Sequence, residues 1–215
     1  MILGIDTATA STVVGLLRAD GSVAERRDDP PAGSRPNHAS RVLELIDALV
    51  DDWADVRRIA VGVGPGGFTG LRIGIATARA LAQARDLELV PVSSLRALAG
   101  GAGGGTVAAV LDARRGEAFL AVYAGAATLI EPVALAPEAL ARAVAGLGAG
   151  VLAVGDGALR FRGMLERAGA SVPPDVEAVH RIGAGPLCRL GAAGSPASRD
   201  TLLPDYRREP DARPR

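Results

Sequence analysis

The stretch "AVGVGPGGFTGLRIG", residues 60–74, decides how this chain is read. It runs from small and apolar residues through a glycine cluster into Phe-Thr-Gly-Leu-Arg. That is a short strand, a tight turn and the start of a helix, a geometry on which several folds seat a phosphate. Three nucleotide readings can be tested on it. A Walker P-loop needs a lysine to reach the terminal phosphates, and all 24 basic residues of this chain are Arg. The dinucleotide fingerprint G-x-G-x-x-G is matched by Gly62, Gly64 and Gly67, with Asp86 and Glu88 near the spacing of a ribose contact. Yet the strand before it is the fourth of a mixed series, and Pro65 removes a backbone N–H that a pyrophosphate cradle would use. The third reading, a phosphate held at the N-terminus of the following helix with help from Thr69, stays open. Beside it stands the plainer reading that Gly64, Gly66 and Gly67 only let the chain turn sharply.

Outward from this motif, an apolar strand is expected at 1–5, ending at Asp6. A second is expected at 11–18 and a third at 22–27, joined by a tight hairpin at Asp20-Gly21. Val42, Leu43, Leu45, Ile46, Leu49 and Val50 recur at helical spacing and predict a helix over 38–52 with Asn37 as its N-cap. Strand 59–63, helix 71–84, strand 87–92 and a short helix at 94–99 lead to "GGAGGG", residues 100–105, a flexible break and the candidate domain boundary. Beyond it the order repeats. Strand 107–111 ends at Asp112 as the first ended at Asp6. Strands 117–123 and 129–135, a helix over 137–145 with Pro in its first turn, and strand 151–154 running into "GDGA" complete the second copy.

Two copies of strand-strand-strand-helix-strand predict an α/β fold of two lobes, 1–100 and 101–215. Each lobe would hold a mixed sheet flanked by helices, with a C-terminal helix and tail of the second packing back on the first. This is the architecture of the duplicated ribonuclease-H-like folds of the actin, sugar-kinase and Hsp70 group, in which a nucleotide lies between the lobes. By that analogy an ATP-dependent kinase or phosphotransferase is one reading. Asp6 and Thr7 are then phosphate or Mg²⁺ candidates, mirrored by Asp112. Against it, "DTATAS" has no Gly for a phosphate hairpin, and a strand-end Asp also caps local N–H groups.

Composition narrows the classes further. At 48% hydrophobic the chain can bury a core, but with 3% aromatics that core is built from Ala, Val, Leu and Ile. No apolar run approaches 18 residues, and residues 1–11 carry no basic region, so neither a membrane span nor a secretory leader is expected and a cytoplasmic location is. Cys188 is the single cysteine, which excludes an internal disulfide and a thiolate metal cluster. The missing Lys excludes Schiff-base and kinase-type catalytic lysines. Zero net charge disfavours stand-alone nucleic-acid binding. A peptidase would need an elbow serine or a metal pair, and the chain has neither G-x-S-x-G nor a second His near His38. On helix 71–84, Arg72, Arg79 and Gln83 share one narrow stripe and the rest is apolar or small, more than one sheet would cover. Gly70, Gly74 and Ala78, four apart, would admit another helix backbone. That surplus is either covered by the chain itself or meant for another protein.

The same residues carry a family resemblance. "GVGPGGFTGLRIGIATARALA" is similar to the G-x-GPGSFTG-[LV]-RIG segment of the TsaB (YeaZ) family, bacterial proteins of tRNA threonylcarbamoyladenosine modification. "ILGIDTATAS", "VSSLRALA", "VLDARRGEAFLAVY", "GDGA" and "PDYRREPDA" resemble further family segments in order. Gly67 departs from the usual Ser. The resemblance implies a non-catalytic subunit with no cofactor and no metal. The related catalytic subunit, TsaD, carries His-x-x-x-His for a metal, whereas here Val42 stands four after His38. It also implies a helix bundle shared with TsaD, or with a second copy of the chain when TsaD is absent. The interface would be drawn from Val42, Leu45, Ile46, Leu49, Phe68, Leu71, Arg72, Ile75 and Arg79. A TsaE-type ATPase would join the assembly, and tRNA, modified at the adenosine beside the anticodon, would be met through these partners.

Overall fold

The computed structural model of the chain describes residues 1–31 and 33–208. β1 (Ile2–Asp6), β2 (Thr12–Leu17) and β3 (Val23–Asp28) form an antiparallel meander. α1 (His38–Asp47), β4 (Arg58–Gly64), α2 (Phe68–Arg85) and β5 (Glu88–Ser93) follow. The sheet order is β3-β2-β1-β4-β5, with β4 parallel to β1 and β5 parallel to β4. After α3 (Ser94–Gly100) come β6 (Thr106–Arg114), β7 (Glu117–Ala124), β8 (Ala127–Leu135), α4 (Pro137–Ala145) and β9 (Val151–Val154). They make a second sheet of order β8-β7-β6-β9, again an antiparallel meander whose first strand pairs in parallel with the strand after the helix. The two sheets flanked by helices are the duplicated α/β fold expected from element order. Beyond β9 lie α5 (Asp156–Arg160), α6 (Arg162–Arg167) and α7 (Ala184–Ala193).

Strand alternation sorts the core. Leu3 and Ile5 of β1 face α1 and α2, in a cluster with Val42, Leu45, Ile46, Ile59, Val61 and Ile75. Gly4 and its cross-strand partner Gly15 face the other way, where α7 lies directly on the sheet. A Cβ at Gly4 would come 2.6 Å from Cys188 Sγ, and one at Gly15 would overlap Ala184. Glycine here removes side chains so that a helix can approach the strands. In the second sheet Val110, Leu120 and Val122 pack on Leu140, Val144 and Leu165 of α4 and α6. The opposite face, with Leu111, Phe119 and Tyr123, joins Leu95 and Leu98 of α3 and Leu187 of α7 in a core shared between the lobes.

Local geometry departs from expectation in three places. The first helix stops at Asp47, not 52; Leu49 and Val50 still bury, and Asp52 Oδ1 instead accepts Ala54 N–H at 2.8 Å to cap a 3₁₀ turn, Trp53–Asp55. The β2–β3 hairpin turns over three residues, since Arg18 N–H bonds Ser22 O and Gly21 sits at φ 84, the positive-φ end of a type I turn with a bulge. α2 starts at Phe68, three residues early, with Gly67 as an N-cap that has no side chain to offer. That bears on the departure from the family's Ser. A Cβ at Gly67 would meet nothing closer than Ala8 O at 3.6 Å, and φ is −63. Gly67→Ser is therefore expected to raise stability by a few tenths of a kcal/mol through the cap alone. An unchanged urea midpoint would show that the cap bond does not form.

Candidate functional site

Beside the opening motif, between the edges of the two sheets, lies a cleft of about 310 Å³. The segment after β1, the first turn of α2, the end of β6, Asp156 and the chain's 205–208 stretch all line it. The motif's glycines, however, are engaged with protein. A Cβ at Gly62 would lie 2.6 Å from Asp6 Cγ and 3.1 Å from Ser94 Oγ, and one at Gly66 would lie 2.7 Å from Ala8 Cβ. Gly67 N–H donates to Ala8 O at 2.7 Å. The loop is a socket for residues 6–8. Gly70 and Gly74 are filled likewise: Thr7 lies on both, and His38 at the start of α1 places its Nε2 3.1 Å from where a Gly70 Cβ would be.

This placement corrects the reading of Asp6 and Thr7 as phosphate contacts. Asp6 is 1% exposed; its Oδ1 accepts Ala8 N–H at 2.8 Å and its Oδ2 the Ser94 hydroxyl at 2.7 Å. Burial pushes its carboxyl above the usual range, against the pull of those two hydrogen bonds. Thr7 is fully buried and donates its hydroxyl to Gly70 O at 2.7 Å. Both pin β1 to α2 and α3 and neither reaches the cleft. Thr69 is exposed and does line it.

The cleft's charges are mutually committed. Asp112 pairs with Arg160 at 2.9 Å and Arg114 at 3.6 Å, and Asp205 pairs with Arg207 at 2.6 Å. Arg208 reaches the Ala113 carbonyl and Glu117. Asp156 accepts Asp112 N–H at 3.0 Å. Dense surroundings raise its carboxyl, with the Asp112 charge acting in the same direction. Of the lining arginines, Arg114 and Arg207 each pair with a carboxylate of the protein, and Arg208 with a carboxylate and a carbonyl.

Nucleophiles and bases are similarly held. His38 is buried, its Nδ1 2.9 Å from Thr12 Oγ1, and burial lowers its pKa. His180 accepts Gly155 N–H through Nδ1 and meets Pro173 O through Nε2. Cys188 is fully buried and its thiol is pushed up to about 12 by burial. No group of three or more His, Cys, Asp or Glu among the described residues is arranged to hold a metal.

Of the interface residues implied by the resemblance, Val42, Leu45, Ile46, Leu49, Leu71 and Ile75 are buried in the chain's own core and cannot present a free face. The sheet covers their stripe, which is why helical periodicity alone could not place them. Phe68, Arg72 and Arg79 do reach the surface. Arg72 lies 3.7 Å over the Phe68 ring and donates Nε–H to the Tyr206 hydroxyl at 2.9 Å, and Tyr206 stacks on Phe68 at 5.0 Å. Arg79 approaches Asp200 at 3.9 Å. Asp205 N–H bonds Val63 O at 2.8 Å, so residues 205–208 cross from β4 over the start of α2 to the β6–β7 turn. Residues 209–212 of the quoted family tail lie outside the described residues.

What the two helices do expose is different. Leu43, 100° round the helix from Val42, is 54% exposed. Ala76 and Ala80 are exposed one turn apart on α2, with Ile73, Thr77 and Leu81 half-buried around them. The signal was present in the sequence as phase: these positions fall between those that face the sheet.

Comparison with known proteins gives a consistent lineage. The family model described as "TsaD: tRNA N6-adenosine threonylcarbamoyltransferase" matches residues 30–151. The tRNA threonylcarbamoyladenosine biosynthesis protein TsaB of Bacillus subtilis is 35% identical over 138 residues, 61% of this chain and 58% of that protein. The chain thus spans little more than half the length of that relative. An uncharacterised protein of Mycobacterium bovis is 33% identical over 99% of this chain and 94% of its own. The structure of YeaZ from Pseudomonas aeruginosa superposes with a TM-score of 0.77 at 27% identity, over 95% of this chain and 98% of that one.

Proposed function

Because the chain belongs to the TsaB (YeaZ) family, whose members are proteins of tRNA threonylcarbamoyladenosine biosynthesis, we propose that it serves that modification as a non-catalytic subunit. It binds a TsaD-type threonylcarbamoyltransferase through the outer side of α1 and α2, and a TsaE-type ATPase joins the pair. The adenosine at tRNA position 37 is handled by those partners. Without TsaD, a second copy of the chain takes the same face.

The observation that carries this reading is the outward surface of the helix pair. Ala76 and Ala80 present almost no side chain, so another helix can approach the α2 backbone closely, while Leu43 and the half-buried Ile73 supply apolar area at its margin. Arg72 and Arg79, four before and three after Ala76, border this face, so a partner would meet small residues framed by positive charge. The kinase reading is disfavoured by the inward turn of Asp6 and Thr7 and by the pairing of the cleft arginines. The peptidase reading is disfavoured by the engagement of both histidines and of Cys188. Among the described residues no helix is long and apolar enough to cross a membrane.

Ala76→Arg with Ala80→Arg tests the interface without touching the core. The double variant is expected to fold like wild type by circular dichroism and to lose affinity for the TsaD homologue by at least about 100-fold, through two buried unpaired charges. Comigration with TsaD on gel filtration at unchanged affinity would remove the helix pair as the docking face. ATP hydrolysis by the purified chain that vanishes in Asp6→Ala would overturn the non-catalytic assignment. Ile75→Glu is no substitute, because at 4% exposure it probes folding.

A further inference from the structure

A second cavity, of about 270 Å³, lies where α3 and α7 meet the β6–β7 pair, with the glycine linker 100–105 along its edge. Its floor is apolar, from Val107, Pro186 and Leu190, and Gly100, Gly103 and Gly105 give it a wall without side chains. Two arginines stand at it. Arg96 lies over the Tyr123 ring at 4.5 Å and donates Nη2–H to Gly125 O at 2.8 Å, which fixes its guanidinium in place. Arg189 is exposed and folds back along α7 over Gly185, where a Cβ would stand 2.9 Å from its Nη2; glycine at 185 makes room for the head group. Neither arginine forms an ion pair with a carboxylate among the described residues, and Glu131, whose charge is felt by the Tyr123 hydroxyl, pairs with neither.

We propose that this cavity is a binding site for a small organic monocarboxylate, its apolar body on the Val107–Pro186–Leu190 floor and its carboxylate between Arg96 and Arg189. An apolar pocket with a few convergent polar groups is the usual form of a small-molecule site. Guanidinium is the side chain best matched to a carboxylate. At about 270 Å³ the space sits just below the roughly 300–1,000 Å³ typical of drug-sized ligands, so the occupant is compact. A net positive rim selects a carboxylic acid over an alcohol of the same body, and the apolar floor selects it over inorganic phosphate. The position matters as well. α3 and α7 pack with the first lobe's sheet, β6 and β7 belong to the second, and the linker that joins the lobes runs beside the ligand. Occupancy would tie the two halves together at their connection. This inference stands independently of the partner-binding reading, since it uses neither α1 nor the outward face of α2.

The intact chain titrated with 3-phenylpropionate by calorimetry tests it, with 3-phenylpropan-1-ol and inorganic phosphate as comparison probes. Saturable binding of the carboxylate is expected, at least about tenfold tighter than either comparison probe. Arg189→Gln, a change at an exposed residue that breaks no ion pair, is expected to weaken binding at least about fivefold with an unchanged melting temperature. Hydrogen exchange across 100–105 is expected to slow on binding in wild type. Absence of saturable binding, equal binding of the alcohol or of phosphate, or an unaltered affinity in Arg189→Gln would each overturn the proposal.

Discussion

Gly62→Ala is expected to leave little folded protein, a loss of more than about 4 kcal/mol. The strand position gives no warning of this, because alanine is otherwise acceptable in a buried strand. The cost comes from Asp6, whose carboxylate fills the volume where the methyl group would stand, while Ser94 Oγ closes the other side at 3.1 Å. Moving Asp6 aside would break its bonds to Ala8 N–H and Ser94 and leave buried polar groups without partners, at a cost of about 1–3 kcal/mol each. The mechanism has its own check. Asp6→Ala removes the obstacle, so Gly62→Ala should cost at least about 1 kcal/mol less in that background than in wild type. Urea denaturation of the four proteins measures this, and a single variant with a wild-type midpoint would refute the packing account of the motif.

Gly191→Leu is expected to lift α7 off the first sheet. A Cβ at 191 would overlap that of Ala60 and stand 3.2 Å from Ala60 Cα, on β4, an interior strand held between β1 and β5. Cys188, one turn earlier, reports the result. In wild type it is fully buried, with its thiol pushed up to about 12, so a disulfide reagent at pH 8 reaches it only when the helix opens. A loss of about 3 kcal/mol in helix docking corresponds to a rise of roughly 100-fold in labelling rate. Equal rates in the two proteins would mean that α7 is not held by its contact with β4.

Elements whose pattern is local were legible in the sequence, and those decided by distant contacts were not. β1, β4, β6 and β9 are short apolar runs closed by Asp or Gly, and the repeated order of strands and helices gave both sheets. α7 was expected as a C-terminal helix without bounds, because "AGPLCRLGAA" holds Gly185, Pro186 and Gly191. Pro186 is tolerated in the first turn, and Gly191 is needed by Ala60, a reason visible only in three dimensions. The periodicity of 38–52 and 71–84 marks buried faces as faces, but burial under the chain's own sheet and burial under a partner give the same pattern. Val42, Leu45, Ile46, Leu49, Leu71 and Ile75, which the resemblance implies as interface, point inward, and Ala76 and Ala80 give no signal because alanine announces neither. The glycine motif was legible as a turn, yet the partners of its glycines, Asp6, Thr7 and Ala8, sit at the other end of the first lobe's sequence. The Phe68–Arg72–Tyr206 stack is equally non-local.

The seating of α7 on β1, β2 and β4 has a consequence for synthesis. The first five strands leave the ribosome early, but the face carrying Gly4 and Gly15 has nothing to cover it until residues 184–193 have been made. The β6–β7–β8 meander closes through neighbouring hairpins and can form as soon as it emerges. The sheet that is translated first therefore waits for the last helix to be made. A ribosome stalled between 150 and 180 would display an apolar sheet face wide enough to engage a chaperone.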